Sequence, residues 1–290
     1  MIVIGSLLTV LVIFLVSYVI FDSNIYDELY SKIEVTAHRG NSTVTMPNTI
    51  PAFKEAIKEG ADYGELDVRQ TKDNVIVVTH DASLKEMTGQ DINVRDLTYE
   101  ELQKIPCIEV NGNKCTVPKL EDVINVCKGK IKLNIEIKTG NNDSEDFVSD
   151  VVKIIENTDF VDKCVVTSLD YRALRKVKEC NPKIKTGYIM AVAMGDFYDL
   201  PCVDFFRMET TFVNGRVVER AHKLNKEIHV WTVNDDDSLK KCVELEVDNI
   251  ITDNVAGAKS AIATHGDDVF SIVLNQLKES DNSKENIKKN

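Results

Sequence analysis

The sequence lacks the cysteine pattern of a structural zinc site or of a disulfide framework. Its 7 cysteines are scattered along the chain, with no Cys-x-x-Cys pair, and an odd number cannot all pair within one chain. Free thiols, buried or on the surface, are therefore expected. This usage favours a reducing compartment over an oxidising one, although it excludes neither.

The chain also lacks an excess of positive charge. It holds 35 lysines and arginines against 47 aspartates and glutamates, which leaves a formal net charge of −12, and the acidic residues are spread along the chain. General nucleic-acid binding requires a basic face, so no nucleic-acid partner is expected. A small phosphate ligand remains compatible with this balance, because it needs positive charge only at its own site.

Charged side chains are absent from residues 1–21, which are almost wholly apolar. A helix of about 20 such residues crosses a bilayer. A cleaved signal peptide fits less well, because no basic residue precedes the long apolar run and no small-x-small cleavage site follows it. We predict a single transmembrane helix over 1–21, a juxtamembrane linker over 22–32 and a location at the cell membrane. The orientation stays open because the first basic residue is Lys32, and the span would also suit the last helix of a longer membrane protein.

Beyond residue 32, strand and helix patterns alternate. Eight strands separated by helices in a chain of 290 residues fit a TIM (β/α)8 barrel of the α/β class, whereas a doubly wound open sheet usually carries fewer strands. The predicted strands are 33–38, 62–68, 131–137, 163–167, 184–189, 202–206, 227–232 and 248–252. The predicted helices are 48–59, 119–127, 145–157, 170–179, 214–224 and 235–244.

The residues after the second strand interrupt this alternation. A hairpin turn ending at Asn74, which can adopt a positive φ, is followed by a predicted return strand over 75–79. Short helical and loop patterns over 80–118 predict a small insertion between the second strand and its helix. The barrel domain is assigned to 33–274, and the polar segment 275–290 is predicted to be a disordered tail.

Acidic residues lie at the carboxyl ends of two of the predicted strands. Glu65 and Asp67 lie two positions apart, so their side chains share one face, and Glu136 with Lys138 repeats the arrangement on the next strand. At the carboxyl end of a barrel strand that face is the mouth, where such barrels hold their active sites. Three carboxylates that converge there suit Mg²⁺ or Ca²⁺. For any one of them alone, a solvated or salt-bridged surface role is the alternative.

Two histidines also follow predicted strands. His38 precedes Arg39, a donor type suited to phosphate, and Gly40, which permits close backbone approach. His80 precedes Asp81, a carboxylate that could orient the imidazole. A lone histidine at a strand end is more often structural than catalytic, so the neighbouring residues carry this interpretation. The other three histidines are expected to be structural: His222, His229 and His265.

The order of these residues resembles that of glycerophosphodiester phosphodiesterases. The resemblance covers roughly residues 35–258, segment 80–118 resembles the family's insertion, and the apolar start resembles its membrane-attached bacterial members. The matching motifs are His38-Arg39-Gly40, Asn48-Thr49, Gly60-Ala61-Asp62, Glu65-Leu66-Asp67-Val68, Thr71-Lys72-Asp73, His80-Asp81, Glu136-Ile137-Lys138, Val230-Trp231-Thr232-Val233-Asn234 and Ile250-Ile251-Thr252-Asp253.

The resemblance implies a TIM-barrel enzyme that hydrolyses glycerophosphodiesters to sn-glycerol 3-phosphate and an alcohol. It further implies a divalent metal cofactor, Mg²⁺ or Ca²⁺, and a cyclic phosphate intermediate. Residue roles are carried over by position. Glu65, Asp67 and Glu136 would bind the metal, His38 and His80 would be the acid–base pair, Arg39 and Lys138 would contact phosphate, and Trp231 would line the pocket.

One position departs from the family pattern. The family usually has Pro-Glu before Asn-Thr, whereas this chain has Met46-Pro47 before Asn48-Thr49. The missing acid bears on metal affinity or substrate choice but removes none of the three implied ligands. Two other functions stay open, a lysophospholipase D-type enzyme acting on lipids and a non-catalytic barrel that binds phosphodiesters. The head group and the oligomeric state do not follow from the sequence.

Overall fold

The structure is a computed structural model that describes residues 33–190 and 197–264. The predicted transmembrane helix over 1–21, the linker over 22–32 and the polar tail over 275–290 lie outside these residues. Within the described ranges, no helix combines the length and the apolar character that crossing a bilayer requires.

The described strands form one closed sheet. They are hydrogen-bonded in the order β1-β9-β8-β7-β6-β5-β4-β2-β3, and a further pairing of β1 with β2 closes the ring. Eight of the strands run parallel and only β3 is antiparallel, so the predicted TIM barrel is confirmed. The strands are β1 Glu34–Ala37, β2 Tyr63–Gln70, β3 Ile76–Val78, β4 Lys132–Ile137, β5 Cys164–Ser168, β6 Lys185–Met190, β7 Phe205–Glu209, β8 Glu227–Trp231 and β9 Asn249–Thr252.

Helices cover the outside of the barrel. The helix after β1 begins next to Pro51, whose fixed φ suits a first helical turn, and it buries Ala52, Phe53 and Ala56 against the sheet. The helices that follow the strands are Ile50–Lys58, Leu120–Cys127, Phe147–Asn157, Tyr171–Cys180, Gly215–Lys223 and Asp236–Glu244. A further helical stretch covers 255–264.

The inside of the barrel is largely polar. Thr36 Oγ1 donates a hydrogen bond of 2.7 Å to Asn249 Oδ1, and Thr167 Oγ1 donates one of 2.9 Å to Asn134 Oδ1. Alternation along each strand turns the intervening apolar residues, such as Val35, outward into the main hydrophobic core. Most apolar burial therefore lies between sheet and helices, which leaves the interior available for charged groups.

The interruption after β2 has the predicted form. β3 pairs antiparallel with β2, and Asn74 in the connecting turn has φ 65°. The chain then passes through two short helices, Lys85–Thr88 and Tyr99–Leu102, before it returns to the barrel. This insertion buries its own apolar cluster, separate from the main core: Val77, Leu84, Met87, Val94, Leu102, Cys107 and Val117, joined by Met46 from the loop after β1.

One strand was predicted three residues too early. The predicted strand 202–206 is observed as β7, Phe205–Glu209. Cys202 has φ 58°, and the Asp204 carboxylate accepts a hydrogen bond of 2.7 Å from the backbone N–H of Thr186. The apolar side chains that suggested an earlier start therefore belong to a turn, because a left-handed residue and a side-chain cap precede the ladder.

Candidate active site

Three buried carboxylates meet at the carboxyl end of neighbouring strands. Glu65 and Asp67 lie on β2 and Glu136 lies on β4, with Asp67 directly opposite Glu136 in the register. One carboxylate oxygen from each residue falls within 4.8 Å of the others. Their exposed fractions are 1%, 1% and 3%, so their charges need partners close by.

Arg207 on β7 supplies one of these partners. Its Nη1 donates to Glu65 Oε1 at 2.9 Å and to Glu136 Oε2 at 2.8 Å. The guanidinium is itself only 2% exposed, so it neutralises the negative charge of Glu65 and Glu136 in a region that water does not reach. Arg207 was not among the site residues predicted from the sequence.

Lys138 and Arg39 add two further cations. Lys138 Nζ lies 3.2 Å from Asp67 Oδ1 and 2.5 Å from Glu136 Oε1. Arg39 Nε lies 3.7 Å from Asp67 Oδ2, and the backbone N–H of Arg39 donates to Glu65 Oε2 at 2.9 Å. Both side chains keep an edge in solvent, with exposed fractions of 15% and 20%, so they can reach a ligand that enters the mouth.

The backbone of the loop after β1 positions Arg39. Arg39 and Gly40 have φ 53° and 76°, and an added Cβ at Gly40 would lie 2.7 Å from Ala52 Cβ. Only glycine fits there. The loop closes through a hydrogen bond of 2.8 Å from Asn48 N to Arg39 O, and Asn48 Nδ2 donates to Asp67 Oδ2 at 2.9 Å. The loop and the carboxylates therefore fix each other.

The carboxylates differ in proton affinity. Burial acts to raise the pKa of Asp67, but nearby positive charge, chiefly that of Lys138, holds this pKa below its usual value. Burial raises the pKa of Glu136 above its usual value, and the pull of Arg207 does not overcome it. Positive charge added among these groups would favour their ionised forms.

Each strand-end histidine is held by a carboxylate. His38 Nδ1 lies 2.9 Å from Asp253 Oδ1, and His80 Nδ1 lies 2.9 Å from Asp81 Oδ1. A carboxylate can only accept, so Nδ1 carries the proton in both rings and Nε2 is left to exchange one. Burial acts to raise the pKa of Asp253, yet the hydrogen bond from His38 brings that pKa down to about 2.

A cavity connects the loop after β1 with the second histidine. It is lined by Arg39, Pro47, Asn48, His80 and Asp81, among others. Pro47, where the family pattern has an acid, is thus a wall of this cavity. Pro47 therefore presents an apolar ring to this cavity, beside Arg39 and Asn48.

Trp231 closes β8 at the same end of the barrel. Its ring lies under the Arg207 guanidinium, with Cζ 5.2 Å from the ring centroid. The indole Nε1 is buried and has no hydrogen-bond partner among the described residues. An unpaired buried donor carries a free-energy cost, so this N–H is suited to a ligand oxygen.

The remaining histidines lie elsewhere. His222 Nε2 contacts Asp248 Oδ2 at 2.8 Å on the surface. His229 is buried inside the barrel, where its ring stacks on Phe205 with centroids 4.0 Å apart. His265 falls outside the described residues.

The donor set fits a hard divalent ion. All three converging side chains offer oxygen, the ligand that Mg²⁺ and Ca²⁺ prefer. Asp67 Oδ1 is buried and accepts no hydrogen bond from the part of the chain that the structure describes, although the Lys138 ammonium lies nearby. An oxygen with unused lone pairs at the centre of the cluster is what a cation ligand requires.

Sequence reasoning missed Arg207, Asp253 and the side-chain role of Asn48. Arg207 interrupts the apolar run of β7, and Asp253 directly follows β9. A charged residue inside an apolar strand, or directly after one, was the available signal. Their partners are too distant along the chain for spacing to reveal them.

A closed parallel barrel whose mouth holds buried carboxylates, cations and two carboxylate-paired histidines defines an α/β-barrel enzyme with a site suited to phosphate esters. The sequence profile of the glycerophosphoryl diester phosphodiesterase family matches residues 38–256, and the chain belongs to this family.

Relatives support this assignment. A glycerophosphodiester phosphodiesterase of Caldanaerobacter subterraneus subsp. tengcongensis is 31% identical over 230 residues, covering 77% of this chain and 95% of that protein. Lysophospholipase D GDPD1 of Mus musculus is 26% identical over 258 residues, covering 75% of this chain and 82% of that protein. A solved Oleispira antarctica phosphodiesterase shares the fold with a TM-score of 0.75 at 23% identity, covering 81% of this chain and 99% of that one.

Proposed function

We propose that this enzyme hydrolyses glycerophosphodiesters to sn-glycerol 3-phosphate and an alcohol by metal-dependent acid–base catalysis. The observation that carries the proposal is the pairing of a three-carboxylate cluster with His38 and His80 at one barrel mouth. The Oleispira antarctica relative is described in complex with the product sn-glycerol-3-phosphate, which supports the same product for this chain.

Glu65, Asp67 and Glu136 would hold the divalent ion, Mg²⁺ or Ca²⁺. When bound, the ion would polarise the phosphoryl group and help the glycerol 2-hydroxyl to ionise. The chain prepares this site by keeping the three carboxylates nearly out of water, with Arg207 fixing two of them.

His38 and His80 would move the protons. One imidazole takes the proton of the attacking hydroxyl through Nε2, and the other gives a proton to the leaving alcohol. Asp253 and Asp81 hold the two rings by Nδ1, so Nε2 is the nitrogen that exchanges the proton in each ring. Nε2 is bare in the ring that acts as the base and protonated in the ring that acts as the acid. Water then opens the cyclic phosphate with the two roles exchanged.

Arg39 and Lys138 would bind the phosphate oxygens. Arg39 lines the cavity, and Lys138 lies against the carboxylate cluster. Both keep part of their side chains in solvent. Trp231, with its unpaired indole N–H, would complete the pocket. These groups neutralise the charge that develops on phosphorus oxygens.

A lysophospholipase D-type activity is the second candidate. Val44 and Ile108 present apolar side chains to solvent, with exposed fractions of 39% and 46%. The insertion brings their segments together, because Asn111 Nδ2 donates to Val44 O at 3.0 Å. Apolar groups beside the loop that carries Arg39 would suit an acyl chain, as in the mouse relative named lysophospholipase D.

A membrane location is part of the proposal. The apolar segment 1–21 would anchor the enzyme, and the linker 22–32 would connect it to β1. The length of this apolar segment and its lack of charged side chains support this proposal.

The deciding experiment is a turnover assay on glycerophosphocholine, other water-soluble glycerophosphodiesters and detergent-dispersed lysolipids. Chelation should abolish turnover and Mg²⁺ or Ca²⁺ should restore it. Preference for lysolipid would favour the second candidate. Binding without turnover of any substrate, at any added metal, would identify a non-catalytic phosphodiester-binding barrel.

A further inference from the structure

Two cysteines face each other in the insertion. The backbone N–H of Cys107 donates to the carbonyl of Cys115 at 2.9 Å. A direct backbone hydrogen bond brings two residues close together, and the side chain of Cys115 is a hydrogen-bond partner of the Cys107 thiol. Disulfides span Cα separations of about 4.4–6.8 Å. The backbone is thus already spaced for a cross-link.

The connecting segment has the geometry of a tight hairpin. Val110 bridges Asn113 in an antiparallel sense, and Asn111 and Gly112 between them have φ 50° and 78°. Two successive left-handed residues are typical of a type I′ turn. The turn therefore folds the chain back on itself, so that the segments carrying Cys107 and Cys115 lie beside each other.

The side chains of these cysteines also share one environment. Both belong to the apolar cluster of the insertion, where Cys107 is buried and Cys115 is partly exposed. Burial, with the neighbouring Cys115 thiol adding to it, raises the pKa of the Cys107 thiol. Cys115 is therefore the more accessible of the two thiols to a soluble oxidant. Cys107 is the buried thiol next to it that can react in a second step.

We infer that Cys107 and Cys115 form a reversible disulfide by exchange with a low-molecular-weight disulfide such as glutathione disulfide. The Cys115 thiolate attacks the oxidant, releases one thiol and forms a mixed disulfide. The Cys107 thiolate then attacks Cys115 Sγ and expels the second thiol. The two cysteines lose two protons and two electrons, and the oxidant gains them as two thiols.

The hairpin that would be cross-linked touches the catalytic mouth. Asn111 Nδ2 donates to the carbonyl of Val44, and Met46 packs in the same apolar cluster as Cys107. Val44 and Met46 belong to the loop that carries Arg39. The disulfide would therefore restrain one wall of the mouth, whatever substrate the enzyme takes.

The test incubates the folded, reduced full chain with glutathione buffers of increasing disulfide fraction and maps thiols by mass spectrometry. We expect a Cys107–Cys115 cross-link without bound glutathione, whereas the exposed Cys180 retains its mixed disulfide. In Cys107→Ser, glutathione should instead remain on Cys115. Stable glutathione on Cys115 of the unaltered chain, or two free thiols in excess oxidant, would overturn the inference.

A second readout uses stability. Oxidation should raise the melting temperature of the unaltered chain by roughly 5 °C, because the cross-link restricts the unfolded state. The double variant Cys107→Ser with Cys115→Ser should show no such rise. An equal rise in both proteins would assign the effect to another site and contradict the inference.

Discussion

Arg207 Nη1 lies 2.8 Å from Glu136 Oε2, although the two residues come from strands on different sides of the barrel and both are almost fully buried. The same nitrogen also contacts Glu65. Burial of these carboxylates is tolerable because the guanidinium is buried with them. The position of the acidic cluster thus depends on a cation that is itself part of the barrel interior.

Arg207→Met should be strongly destabilising. The substitution leaves Glu65 and Glu136 buried without their shared partner, which typically costs about 3–5 kcal/mol. Denaturant unfolding measures this loss, and Arg172→Met on an exposed helix position is the control. Added Mg²⁺ should recover part of the stability, since it would bind only the folded carboxylate cluster. A variant as stable as the control would show that Arg207 is not needed there.

His38→Ala and His80→Ala should each lower kcat by about 10²–10⁴, the range typical of general acid–base groups. His222→Ala, which removes only a surface contact with Asp248, serves as the control and should leave kcat unchanged. Steady-state kinetics on the preferred substrate measures all three. Near-normal turnover in either of the first two variants would remove that residue from the proposed pair.

Glu227 at the amino end of β8 should make stability depend on pH. Its hydrogen bond with His229, with Lys185 acting in the same sense, lowers its pKa to about 2. The folded state holds this proton less tightly than the unfolded state, so the stabilisation is present above about pH 4.5. It is lost as the pH falls towards 2.

Glu227→Gln should therefore flatten the dependence of unfolding free energy on pH between about 4.5 and 2. The control is Glu109→Gln, at an exposed position in the insertion. Unfolding by denaturant at several pH values measures both. Identical slopes in Glu227→Gln and the unaltered chain would contradict the assigned role.

A substrate whose glycerol 2-hydroxyl is replaced by hydrogen tests the proposed nucleophile. An attached hydroxyl is already close and oriented, so it outcompetes free water. The deoxy compound should bind, because Arg39 and Lys138 would contact its phosphate, but it should turn over very slowly. Competition and turnover assays separate the two properties. Cleavage at the normal rate would mean that water attacks phosphorus directly.

Removal of residues 1–30 should release a soluble, folded and active domain. Every described strand of the barrel begins after this segment, with β1 starting at Glu34. Circular dichroism, gel filtration and the turnover assay check the outcome. An unfolded or insoluble product would place part of the segment within the fold.

Local patterns were enough to predict most of the barrel. The alternation of apolar strands and amphipathic helices is a short-range property, and Asn74 marks its hairpin turn without reference to distant residues. The start of β7 could not be predicted, because Asp204 caps Thr186, which lies on another strand. Turn chemistry of this kind depends on tertiary contact.

The residues of the candidate site also fall into two groups, those that local sequence patterns predict and those whose contacts form only in the folded barrel. Glu65 and Asp67 are visible because they follow one strand at a spacing that places them on one face. The partnership of His38 with Asp253 is invisible, because 215 positions separate the two residues and only closure of the barrel brings them together. The resemblance to a family supplied roles for single residues but not these contacts.

The insertion after β3 packs around an apolar cluster of its own, distinct from the core between sheet and helices. Two packing units that share few side chains can change independently over evolution. The acids and histidines at the strand ends can be retained while the segment beside the mouth is replaced or lengthened. Diversification of head-group choice in such an enzyme therefore need not disturb its catalytic chemistry.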